Sequence, residues 1–183
     1  MKMETAVKGL ALTALIGGVA RIGMAPSGAI WGTDSIQELI FGLIACLLMG
    51  IGIFGVFLRG ADKLGIVGFL SVILISLSST LTAALVWSSM LGIAGEDHNY
   101  IPNMQSVNSL IMLIGMIGFC VQSIRSRIYP IWTAVLFLLF PILSFIPVAA
   151  NWAAVAWGIS YIGFGYYAFA NKTARNPAYF SQS

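Results

Sequence analysis

A chain of 183 residues has the length of one soluble domain, but 59% of its residues are hydrophobic, 8% are charged and the mean hydropathy is +0.95. Water-soluble chains carry roughly 25% Asp, Glu, Lys and Arg, so this one lacks the charge to solvate a globule and must share its core with lipid. The excess of Lys and Arg sits in pairs at the ends of apolar runs and forms no stripe along one polar face, which argues against a nucleic-acid partner.

A hydrocarbon layer about 30 Å thick needs about 20 mainly apolar residues of helix. Unpaired backbone groups are too costly there for anything but helices or closed barrels, and the apolar runs do not alternate as barrel strands do. The expectation is an all-α, polytopic integral membrane protein, a single domain of six transmembrane helices.

Span one is predicted over 9–25. Lys2, Lys8 and the apolar stretch from Gly9 to Ala20 have the outline of a secretory signal, against which stand Glu4 and Arg21. Arg21, at the end of the apolar run, is expected to snorkel to the headgroups. There it would pair with an acidic side chain or a lipid phosphate, or receive a substrate carboxylate. Span two, 36–58, opens on Ser35-Ile36-Gln37-Glu38, a capping box in which the Ser accepts from a free N–H and the Glu reaches back to the cap.

Span three, 64–92, has Asp62 placed as its cap and carries Ser71, Ser76, Ser78, Ser79, Thr80 and Thr82. Such hydroxyls either bond back to the carbonyl one turn earlier or line a small-molecule cavity, with Gln105, Asn108 and Gln122 as companions. The following loop holds Glu96, Asp97 and His98. These residue types can hold a divalent cation, but the loop reads first as a solvated connection.

Span four, 107–124, is to be capped by Asn103 or Ser106. Span five, 129–147, starts on Pro130 and should be kinked by Pro141 and Pro147. Span six, 152–170, is to be capped by Asn151, and 171–183 forms a short tail. Cys46 and Cys120 lie in apolar runs and act as small hydrophobes.

Lys and Arg set the orientation. With six spans, Lys2, Lys8, Arg59, Lys63, Arg125, Arg127, Lys172 and Arg175 share one side, leaving Arg21 alone on the other. Both termini are therefore expected in the cytoplasm. With no transit sequence apparent, the expected location is the plasma membrane of a bacterium or archaeon.

Small residues recur four apart as Gly9, Thr13, Gly17, as Gly42, Cys46, Gly50 and as Ala150, Ala154, Gly158, a spacing that lets helix backbones approach closely. They serve packing within the chain or docking of another membrane subunit. Ionisable residues are not expected near mid-membrane, where pumps keep them. One histidine is too few for bis-histidine haem or multi-histidine zinc chemistry. The chain is thus expected to be no enzyme and to carry no cofactor.

The first functional expectation is an accessory or structural subunit of a larger membrane assembly, with the lipid bilayer and other subunits or further copies of the chain as partners. The second is a binder or transporter of a small lipophilic or neutral solute, using Ser78, Thr82, Gln105 and Asn108 with Arg21. In size and helix count the chain resembles the substrate-binding subunits of energy-coupling-factor vitamin transporters, whose first helix carries small residues for docking the coupling subunit. Ala14 and Gly18 occupy the corresponding place here. The resemblance rests on helix count and these small residues, without a diagnostic motif.

Overall fold

The computed structural model describes residues 3–93 and 100–170. They form six helices: α1 (Met3–Trp31), α2 (Ile36–Arg59), α3 (Ala61–Met90), α4 (Tyr100–Ser126), α5 (Ile131–Ser144) and α6 (Pro147–Phe169). Among the described residues there is no strand. In α1, α2, α3 and, from Asn103 to Ser126, α4, the helix is long and apolar enough to cross a membrane. By contrast α5 has only 14 residues, about 21 Å of helix at about 1.5 Å per residue.

Several boundaries differ from the sequence expectation, each for a local reason. Helix α1 continues through Pro26 to Trp31 and so places Arg21 ten residues before its end, rather than in its last turn. Asp62 does not cap α3. Gly60 takes that position without a side-chain bond, and the first turn is set apart by Gly65, whose φ of 59° and ψ of −161° break the helix. That is a conformation glycine alone adopts cheaply. Asn103 and Ser106 fall inside α4, and Asn151 inside α6. Pro147 does not kink α5; it opens α6, where its missing N–H would have had no helical partner.

The expected cap of α2 is present. Ser35 Oγ accepts from the Glu38 N–H at 3.4 Å, while Glu38 Oε2 accepts from the Asp34 N–H at 2.9 Å, one residue before the position a capping box uses.

Consecutive helices pack as neighbours, and α6 closes on α1 to complete a ring, with a lesser contact from α6 to α2. Pairings down each seam show the directions. A Cβ on Gly17 would meet Met49, one on Gly52 would meet Ala14, and one on Gly55 would meet Leu10, so α1 and α2 are antiparallel. Gly18 faces Gly158 and Gly165 faces Ala11, so α1 and α6 are antiparallel too. Met3 and Phe169 therefore lie at one end of the ring, and the α1–α2 turn at the other.

Near the termini the interior is filled by rings. Phe119, Tyr129, Phe137 and Tyr161 pack edge to face around Phe164 and one another, with centroids 5.3 to 5.9 Å apart. The buried Tyr129 hydroxyl donates to Val56 O at 2.6 Å, tying the α4–α5 turn to α2. Toward the opposite end, among the described residues, Arg21, Ser78 and Asn108 are buried.

Candidate functional site

At that opposite end a cavity of about 330 Å³ lies between α1, α3, α4, α5 and α6. It brings together Arg21, Ser78, Thr82, Gln105 and Asn108, residues spread over 88 positions of sequence. Its size is at the small end of ligand pockets. Phe140 and Trp157 form its aromatic side, their rings 4.2 Å apart, while Leu85 and Met112 make the wall apolar elsewhere.

The hydroxyls of α3 divide into two groups. Ser71 donates to Val67 O and Thr80 to Ser76 O, the back-bonding that hydroxyls in apolar helices adopt. Ser78 instead reaches across to α4. Its hydroxyl is fully buried and lies 2.6 Å from Asn108 Oδ1 and 3.1 Å from Asn108 O. Asn108 Nδ2 donates to Thr82 Oγ1 at 2.8 Å, and the Thr82 hydroxyl donates to Ser78 O at 2.9 Å. The three side chains thus satisfy one another and brace α3 against α4. Gln122 does not line the cavity.

Arg21 is differently placed. It is 9% exposed, and its guanidinium carbon sits 4.2 Å from the centre of the Trp157 ring and 5.9 Å from that of Phe140. Nη1 donates to Met24 Sδ at 3.1 Å, a weak acceptor, and Nε has no hydrogen-bond partner. The one ion pair among the described residues joins Lys8 to Glu4. Cation–π contact recovers about 2 kcal/mol when desolvated, short of the several kcal/mol that burying an ion costs. The expectation that Arg21 ends span one and snorkels to the headgroups is therefore corrected: its side chain is buried in the bundle, because α1 runs on beyond it and Gly17 and Gly18 let α2 and α6 close around it.

Trp157 and Phe140 escaped the sequence reading. A tryptophan five residues into an apolar run, away from the interfacial positions such rings favour, was the available signal. Glu96, Asp97 and His98 lie outside the described residues. Among the described residues no group of acidic, histidine and cysteine side chains is placed to hold a metal.

A second cavity, of about 150 Å³, lies between α4 and α5 and shares Ser109, Met112 and Phe140 with the first. It follows the most thinly packed of the seams between consecutive helices. Pro141 on its wall removes a backbone donor from α5.

The small-residue stripes contribute contacts within the chain. Gly17 lies against Met49, Gly42 against Met24 and Gly50 against Ser79, while Gly158 meets Gly18 and Ile22. Cys46 is buried, and Ala150 and Ala154 are half-buried. Ala14 and Gly18, which the transporter resemblance would use for docking, face Gly52 and Gly158 inside the ring. Comparison with models of protein families, with curated proteins and with solved structures finds no match for this chain.

Proposed function

We propose that this protein is a non-enzymatic, six-span membrane protein that binds a small, largely apolar solute in the cavity between α1, α3, α4, α5 and α6. The observation that carries the reading is the convergence of Arg21, Ser78, Thr82, Gln105 and Asn108 on one cavity with an aromatic wall. In a bundle that served only as a packing element, this space would be filled by Leu, Ile and Phe, as it is filled by rings near the termini.

The antiparallel ring supports an even number of passes, and the distribution of Lys and Arg supports cytoplasmic termini. On this reading α5 and α6 complete the six spans, the cavity opens toward the outer face, and the location is the plasma membrane of a bacterium or archaeon. An accessory-subunit role draws its support from the small-residue stripes, the absence of reactive groups and the short loops; of the stripe residues, Gly17, Gly42, Gly50 and Gly158 meet the chain's own helices, while Gly9 stands in open space. The solute-binding reading is therefore preferred.

Native mass spectrometry of the chain released from mild detergent tests the choice. The expected result is a small-molecule adduct on the wild-type chain that is lost in Ser109→Trp, which places an indole where the first cavity meets the α4–α5 cavity. Recovery of stoichiometric partner subunits, with no small molecule bound, would refute the reading and restore the accessory role.

A further inference from the structure

Three features of the cavity define the chemistry of its occupant, given the reading above that it binds a solute. The first is which polar groups remain available. Ser78, Thr82 and Asn108 bond to one another, and the Ser109 hydroxyl bonds back to Gln105 O at 2.9 Å. Arg21 is the charged residue of the wall, nine-tenths buried, with a thioether as its one hydrogen-bond partner among the described residues, and the Gln105 amide and the unpartnered Trp157 Nε1–H stand in the same wall. Arginine stays protonated at any physiological pH, so an anionic occupant offsets part of the cost of burying it.

The second is the path away from Arg21. The α4–α5 cavity continues from Ser109, Met112 and Phe140 past Leu113, Met116 and Ser144 to Phe145, which is 88% exposed. Apart from its two serines this path is apolar, and it ends on the outer surface of the bundle. The third is the thinness of packing along this seam, beside Pro141. A charged end and an apolar, sideways exit together describe the two ends of one molecule.

We propose that the cavity takes a single-chain amphiphilic anion, whose carboxylate or phosphate head stands on Arg21 and whose hydrocarbon chain leaves between α4 and α5. Arg21 is the head-binding residue, and Ser109 guards the junction of the two cavities. The Ser78–Asn108–Thr82 set positions α3 and α4 around the head without binding it.

The full chain in dodecyl maltoside micelles, which offer neither carboxylate nor phosphate, is titrated with decanoate, with neutral decanol and with acetate at constant ionic strength, and thermal stability is followed. Decanoate should raise the melting temperature, with decanol and acetate each binding at least about tenfold more weakly, the size of one charge-assisted contact or a few buried methylenes. Arg21→Gln should reduce decanoate to the level of decanol, and Arg21→Lys should recover part of the difference. Ser109→Trp should reduce decanoate to the level of acetate.

Competition by phosphatidylglycerol against decanoate in the wild type but not in Arg21→Gln would assign the head to a membrane lipid. Its absence would assign a free carboxylate. Equal binding of decanoate and decanol, unchanged in Arg21→Gln, overturns the anionic head while leaving a solute cavity in place. If no probe binds and Ser109→Trp changes nothing, the solute-binding reading fails as well. Non-additive loss of ligand-free stability in Arg21→Gln combined with Glu38→Gln, whose carboxylate acts on Arg21 electrostatically, or with Glu96→Gln or Asp97→Asn, would make Arg21 a structural ion pair, and would also overturn the proposal.

Discussion

Replacing Asn108 by alanine separates a bracing role from a catastrophic loss of a buried polar group, because its two partners have different fallbacks. Ser78 loses an acceptor at 2.6 Å but keeps Asn108 O, which the backbone still presents at 3.1 Å. Thr82 loses an incoming donor, yet its own hydroxyl still donates to Ser78 O at 2.9 Å. No donor is orphaned, so the penalty of about 1–3 kcal/mol for an unsatisfied buried group does not apply in full. What remains is the loss of two interhelical bonds, each near 0.6 kcal/mol in membrane proteins. Asn108→Ala should thus cost about 1.2 kcal/mol, and a Ser78→Ala/Asn108→Ala cycle should show a coupling of about 0.6 kcal/mol. Reversible unfolding in mixed dodecyl maltoside and dodecyl sulfate micelles measures both. A loss above about 3 kcal/mol, or a coupling of zero, would contradict the hydrogen-bond set described for α3 and α4.

Gly158→Ala places a methyl 2.6 Å from Gly18 O, so α1 and α6 must separate, and a loss of about 2 kcal/mol is expected by the same unfolding assay. Gly9→Ala, with open space around the new methyl, should be neutral or slightly stabilising. Tyr129→Phe removes the 2.6 Å bond to Val56 O and should cost about 1 kcal/mol, visible as a lower melting temperature with an unchanged elution volume. Ser35→Ala removes the α2 cap and should cost about 1 kcal/mol, with faster hydrogen exchange confined to the first turn of α2.

The helices themselves were legible because lipid demands long apolar runs and the chain has them. Their ends were less so where one residue type has two uses. Pro147 breaks a helix from within or starts one, and only the turn at Phe145 and Ile146 decides between these. Arg21 after an apolar run reads as a helix end, and it would be one had Pro26 not been accommodated within α1. Ser78, Thr82 and Asn108 were identifiable as polar residues out of place in hydrocarbon. Their mutual satisfaction was not, because it depends on the register of α3 against α4. Nor could Arg21 be joined to Trp157, since hydropathy says nothing of which helix closes the ring on α1.

The shortness of α5 reaches beyond the protein. On the six-span reading proposed above, a rod of about 21 Å in a layer of about 30 Å would draw the surrounding lipid headgroups toward the midplane along that flank, at a modest elastic cost per ångström. Water and polar groups then come nearest to the bilayer centre on the side where the bundle is least tightly closed. A molecule moving between lipid and protein there would carry its polar end through less hydrocarbon than anywhere else on the circumference.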